Sequence, residues 1–241
     1  MTGARPRPAR PPLRLIVLVG GAPGSGKTTL ARRLGPALAL PIVAKDDLKE
    51  SLLETLGAPD RAASAALGRA AMHLLYTAGR RVLEAGGGVI LESNFYPGLA
   101  EPDLAPLLRL APAVQLLCGG DPETIARRYV ERNARGERHP GHFDAVQAPR
   151  VRQQLLAGAF RPLDLDTPVL RVDTTGPAAA GGYDPSFAAI LDFVYRAAPG
   201  AGGPGGPGGP GGAGQGESPP PARPGGATSC RTCPAPPGPA G

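Results

Sequence analysis

The chain has 241 residues, 19% of them charged, and a formal net charge of +6, which suits one medium-sized α/β domain with additional terminal segments. Three cysteines exclude a disulfide framework, no apolar run reaches the length of a membrane span, and the cytoplasm is the expected compartment. Several arginines lie in the terminal segments, so the positive charge argues only weakly for a nucleic-acid partner.

Residues 1–12, "MTGARPRPARPP", are basic and proline-rich and are expected to be disordered, whereas 13–198 are expected to form the folded domain. "LRLIVLVG" is read as the first strand rather than an export signal, because it is short and runs into a glycine loop instead of a cleavage site. Gly21, Gly24, Gly26, Lys27 and Thr28 then fill G-x-x-x-x-G-K-[ST] ahead of a helical pattern with Leu30 and Leu34 on one face. Glycines let a backbone wrap closely round phosphate, and N–H groups at a helix N-terminus favour negative charge. The candidate ATP site is therefore Gly21, Ala22, Pro23, Gly24, Ser25, Gly26, Lys27, Thr28 and Thr29. Lys27 is expected on the β- and γ-phosphates, the Thr28 hydroxyl on Mg²⁺ and Thr29 near the α-phosphate.

"LPIVAK" reads as a second strand, followed by a helix carrying Leu48, Leu52 and Leu56. Asp47, with Glu50 three residues on, fits a capping box and is the expected N-cap. Asp46 is expected at the carboxyl end of the strand, where open parallel sheets bind ligands, and a carboxylate there can accept a proton from an attacking hydroxyl. A long helical pattern follows through "RAASAALGRAAMHLLYTAGRRVLEAGGG", in which Met72 and His73 read as packing residues. "GVILESNF" is a buried third strand ending in Glu92, the position of an acid that serves Mg²⁺; Asn94 beyond it is either a turn residue or an acceptor contact.

"AVQLLC" is a fourth strand, with Cys118 an ordinary buried residue. Asp121 and Pro122 occupy cap and first-turn positions of the next helix, and Arg127, Arg128, Arg132, Arg135 and Arg138 crowd its far end and the following loop. Guanidinium groups so close repel one another unless an anion lies nearby, so Arg132 and Arg135 are expected to act on a triphosphate from a lid. His139 and His142 find no further metal-ligand partners in the sequence and are read as loop or acceptor contacts. "PVLRVDT" is a fifth strand, a last helix is expected over 183–196, and the Gly/Pro-rich residues 199–241 are expected to be disordered. Cys230 and Cys233 lie in that segment without a second pair, so no zinc or redox site is expected there.

The sequence has no N-K-x-D for guanine, no ABC-type signature and no adjacent Asp-Glu pair after a strand. Together "GAPGSGKTT", "AKDDLKE", "VILESNF" and "RNARGERHPGH" resemble the P-loop small-kinase group, AAA-type and ATP-binding. That group includes the 5′-polynucleotide kinase domain, zeta-toxin-like kinases and chloramphenicol phosphotransferase, and the likeness spans roughly residues 13–196. The resemblance implies a three-layer P-loop NTPase fold with a mainly parallel five-stranded sheet and a helical lid. It implies Asp46 as general base, Glu92 and Thr28 at the metal, and Lys27, Arg132 and Arg135 as charge stabilisers. Lys45 and Lys49 stand where polynucleotide kinases carry arginines; lysine keeps the charge and loses the bidentate fork. The expected activity is transfer of the γ-phosphoryl group of MgATP to a hydroxyl on a small-molecule or nucleotide-like acceptor. A polynucleotide 5′ end is the less favoured acceptor, and a nucleotide-dependent switch protein with weak ATPase activity is the alternative from another class. An adenylate-kinase-like reading is disfavoured, since no nucleoside-monophosphate-binding segment follows the second strand.

Overall fold

Alternation along β1 (Ile16–Gly21) sends Ile16 and Leu18 to one face and Val17 and Val19 to the other, and all four are buried. A strand with two apolar faces needs helices on both sides, the arrangement of parallel sheets. The computed structural model describes residues 13–136, 138–176 and 182–198. The terminal segments expected to be disordered, and with them Cys230 and Cys233, lie outside the described residues.

β1 is joined by β2 (Ile42–Ala44), β3 (Val89–Glu92), β4 (Ala113–Gly119) and β5 (Val169–Asp173). All neighbours pair parallel in the order β2-β3-β1-β4-β5, which makes β1 the middle strand. On one face, α1 (Lys27–Leu38) and α7 (Phe187–Arg196) pack Leu30, Leu34, Ile190 and Val194 against Val17, Val19 and Val114. On the other, α3 (Arg61–Glu84) and α4 (Glu101–Leu108) pack Leu75, Leu83, Leu104 and Leu107 against Ile16, Leu18 and Leu91. Each fully buried leucine contributes about 1.5–3 kcal/mol of apolar transfer, so the two clusters clamp the sheet from both sides. The result is the three-layer P-loop NTPase architecture. Among the described residues no helix is long and apolar enough to cross a membrane.

Three local expectations are corrected. First, α2 (Lys45–Leu56) begins three residues before the expected start, with Ala44 as its N-cap and no side-chain cap bond. Asp47 is therefore inside the first turn with Asp46, where carboxylates meet the positive end of the helix dipole. Its side chain is exposed, 3.6 Å from Arg32. Second, α7 starts at Phe187 rather than 183: Asp184 pairs with Asp173 through backbone hydrogen bonds of 2.7 and 2.9 Å, and Ser186 caps the helix through the Ala189 N–H. Third, α4 and α6 (Asp144–Leu156) were not anticipated; each contains a proline, Pro106 and Pro149, which weakens its helical pattern. Between them, α5 (Pro122–Ala134) has the expected cap, with the Asp121 carboxylate accepting from the Thr124 N–H at 2.8 Å.

Gln115 is a buried polar residue in the middle of β4. Its Nε2 donates to the Leu163 carbonyl (3.1 Å) and Thr167 Oγ1 (2.9 Å), and its Oε1 accepts from the Leu163 N–H (2.8 Å). Gln115→Leu strips both Leu163 backbone groups of that partner, and a buried unpaired group costs about 1–3 kcal/mol. The urea midpoint of the variant is expected to fall accordingly, with the slope of the transition unchanged.

Candidate active site

The loop that leaves β1 turns sharply because its glycines adopt conformations closed to other residues. Gly24 has φ 85°, and a Cβ added there would stand 2.7 Å from the Ile125 carbonyl oxygen and 3.1 Å from Tyr129 Cβ, so α5 walls the loop on one side. Gly26, the N-cap of α1, is left-handed with φ 75°. Thr174, just past β5, pins the loop: its Oγ1 donates to the Ser25 carbonyl at 2.8 Å and lies 3.2 Å from the Gly119 carbonyl. The Ser25 hydroxyl is wholly buried and has no hydrogen-bond partner among the described residues. A cradle closed to side chains, a helix N-terminus and an orphaned hydroxyl together fit a bound phosphate chain.

Lys27 and Thr28 open α1 opposite the end of β3. Thr28 Oγ1 donates to Glu92 Oε2 at 3.0 Å, and Lys27 Nζ lies 3.8 Å from Glu92 Oε1 and 3.4 Å from the Ala22 carbonyl. Both Lys27 and Glu92 are buried. Burial pushes the Glu92 carboxyl above its ordinary range, against the pull of the Lys27 ammonium. Among the described residues no group of three or more His, Cys, Asp and Glu could hold a metal by itself. A hydroxyl beside one carboxylate instead suits Mg²⁺, a metal commonly shared between one or two protein ligands and nucleotide phosphates. Thr29 is exposed on the same turn.

Asp46 stands half-buried in the first turn of α2, held by Lys45 at 3.0 Å and by Arg138 at 2.8 Å. Burial alone would raise its pKa; Lys45, Arg138 and Lys27 outweigh that and hold the carboxyl far below the usual range. Arg138 also reaches Asp144 at 3.0 Å and Glu50 at 3.7 Å, so one guanidinium ties α2 to the start of α6. The sequence placed Arg138 in the basic cluster but gave the site roles to Arg132 and Arg135. Arg132 lies 4.0 Å from Asp144 and 5.6 Å from the Tyr129 ring centroid, and its Nε is buried with no hydrogen-bond partner among the described residues. Arg135 is exposed at the C-terminal end of α5. Arg138 and Thr174 were thus missed as site residues. The clustering of arginines signalled the first; nothing in the sequence signalled the second.

Asp46 lies on the wall of a cleft of about 480 Å³ that runs from Pro23 of the glycine loop past Lys49, Asn94 and Tyr96 to Gln147 on α6. The volume suits a small ligand. His142, in a 3-10 turn (Pro140–His142), is buried beside it with Nδ1 2.8 Å from Arg138 and Nε2 3.4 Å from Glu50. Cys118, paired with Gly21 across β1 and β4, is buried as expected, and burial pushes its thiol up to about 12.

The profile of the AAA domain family matches residues 15–156, which run from the start of β1 to the end of α6 and include the loop, Asp46, Glu92 and Arg138. The chain belongs to the AAA domain family. Thr174 lies outside the matched span. A crystal structure of a candidate kinase from Chloroflexus aurantiacus is 33% identical in sequence and superposes with a TM-score of 0.67, covering 76% of this chain and 97% of that one. An uncharacterised protein from Mycobacterium tuberculosis is 29% identical over 175 residues, which cover 67% of this chain and 32% of its own length. A counterpart in Mycobacterium bovis matches equally. The chain thus spans about a third of the length of the curated relatives it matches. Within the AAA domain family, the fold and the Chloroflexus likeness give this chain a P-loop fold of the small-kinase type, the kind that binds nucleotide.

The surroundings of His142 make stability depend on pH. Burial first, then the charge of Arg138, push its pKa down to about 3, so the folded state holds it neutral while the unfolded chain protonates near 6.5. The unfolded state therefore binds more protons between those values, and stability falls as pH drops through that window, by up to about 2 kcal/mol at pH 5. Asp46, with its depressed pKa, contributes stability above the ordinary carboxylate value of 3.8 that is lost only below it. Denaturant unfolding at pH 7 and 5 is expected to show the loss in the wild type and a flatter profile in His142→Asn.

Proposed function

We propose that the chain transfers the γ-phosphoryl group of MgATP to a hydroxyl of a small-molecule or nucleotide-like acceptor. The observation that carries this reading is the position of Asp46, a carboxylate on the wall of a cleft that opens beside the phosphate loop. A switch protein needs the loop but has no use for a carboxylate in an adjoining cleft.

Residues 21–29 wrap the triphosphate, with Lys27 as a point charge on its β- and γ-phosphates. Thr28 and Glu92 would hold Mg²⁺, which when bound neutralises charge on the phosphate oxygens. The acceptor hydroxyl occupies the cleft with its O–H directed at Asp46. Its oxygen forms the new bond to the γ-phosphorus, the bond from that phosphorus to the ADP oxygen breaks, and the hydroxyl proton passes to the Asp46 carboxylate. Lys45 and Arg138 keep Asp46 a weak base. This suits a loose transition state in which the proton leaves late, and makes orienting the hydroxyl much of its task. Arg138 and Arg132, which both approach Asp144, are the cations placed to meet charge from the α5–α6 side; Arg135 belongs to the same group by position.

Two substitutions test the assignment. Lys27→Ala is expected to weaken MgATP binding in isothermal titration and to remove most turnover. Asp46→Asn is expected to keep MgATP affinity and lower transfer about 10²- to 10⁴-fold, measured with γ-labelled ATP on pooled hydroxyl acceptors, while Asp47→Asn changes little. Equal transfer by wild type and Asp46→Asn would refute the role of this carboxylate.

A further inference from the structure

The cleft beside Asp46 is lined by five basic side chains, Lys45, Lys49, Arg61, Arg138 and Arg150, against two carboxylates, Asp46 and Asp144. The excess is unevenly placed. Lys45 and Arg138 are committed to Asp46, and Arg138 also to Asp144 and Glu50. Lys49 differs from both: it is buried, with 7% of its surface exposed, and its ammonium donates to a hydroxyl, Ser64 Oγ, at 2.8 Å. No carboxylate lies within ion-pair distance of Lys49 among the described residues. Arg61 at the start of α3 and Arg150 on α6 are exposed at the rim of the same cleft.

A cation withdrawn from water without a counter-ion is costly unless an anion arrives to meet it. We infer that the acceptor carries an oxyanion of its own, a phosphate or a carboxylate, bound by Lys49 with Arg61 and Arg150 at the rim. This rests on the cleft being the acceptor site. Lys49 stands three residues after Asp46 on α2, so the two side chains share a helix face about one turn, or 5 Å, apart. The anion therefore sits a few bonds from the hydroxyl that receives the phosphoryl group. Asn94, Gln147 and Gln154 line the same space and offer neutral hydrogen-bonding groups to further hydroxyls. The ligand class is a compact polyhydroxy compound ending in a phosphate or a carboxylate. Burial, reinforced by Lys45, lowers the Lys49 pKa to about 8, so it is still largely protonated at neutral pH and an arriving anion strengthens its charge.

Two measurements test this. In the first, matched acceptors with the same carbon skeleton, a neutral polyol, its sugar acid and its sugar phosphate, are labelled from γ-labelled ATP by the full chain. At least one anionic member is expected to exceed the neutral one about tenfold or more in kcat/KM, and the acid and phosphate arms identify which oxyanion is used. Lys49→Met is expected to raise KM for that acceptor about 10- to 100-fold, the size of one charge-assisted hydrogen bond, with MgATP affinity within twofold of wild type. Arg61→Gln/Arg150→Gln, at exposed positions where folding is not at risk, is expected to weaken the preference several-fold. In the second, the phosphate loop is filled with saturating MgADP and inorganic phosphate is titrated against melting temperature. Stabilisation that is lost in Lys49→Met supports the anion site whether or not any acceptor is turned over, so it stands apart from the kinase assignment. Equal use of neutral and anionic acceptors, with phosphate stabilisation unchanged in Lys49→Met, overturns the inference while leaving the kinase assignment intact. Preference for a 5′-hydroxyl oligonucleotide with steep salt dependence overturns it in favour of a nucleic-acid groove.

Discussion

Because β1 is the middle strand and is buried on both faces, its backbone can meet a ligand only where the strand ends, and there the loop 21–26 begins. The order β2-β3-β1-β4-β5 brings the carboxyl ends of β3, β4 and β5 to the same edge. Glu92 arrives from β3 to meet Thr28 on α1, and Thr174, just past β5, links the Gly119 carbonyl of β4 to the Ser25 carbonyl of the loop. Burial of apolar surface thus sets the position of the polar groups that the sheet brings to the loop. The loop itself contributes glycines and a lysine; the sheet contributes the frame that holds them still.

The second half of the site is held by charge. Arg138 bridges three carboxylates, Asp46 and Glu50 on α2 and Asp144 on α6, so two sides of the cleft are tied together through one guanidinium. A triphosphate brings several negative charges to the neighbourhood of that network, and they compete with Asp46 for the same cations. On the proposed function, nucleotide arrival and release of the Asp46 carboxylate are coupled: the more Arg138 is drawn toward phosphate, the more basic Asp46 becomes.

Much of this architecture is legible in the sequence. The loop motif declares itself because its chemistry demands particular residues at particular spacings, and five apolar runs of strand length announced the sheet. Glu92 followed from its place at the end of one of them. The sequence failed where structure depends on a boundary or a reach. Asp47 satisfied a capping pattern, but β2 is only three residues long and the chain enters α2 immediately at Lys45, which moves the cap to Ala44. Pro106 and Pro149 hid α4 and α6. Among five arginines within twelve residues, no periodicity says which one folds back to Asp46, because Arg138 lies beyond the helix in a turn whose path is set by tertiary contacts. Thr174 acts across the sheet from a position 149 residues from its partner Ser25, a distance no local pattern bridges.

Gly24 has a mechanical consequence. With no side chain there, the loop rests directly on the Ile125 carbonyl and the Tyr129 Cβ of α5. A swing of α5 as a rigid rod would pull the wall from the loop and open a void at its back. Loop and α5 are therefore seated on one another without a gap, and any larger residue at position 24 would drive Ile125 and Tyr129 off the loop.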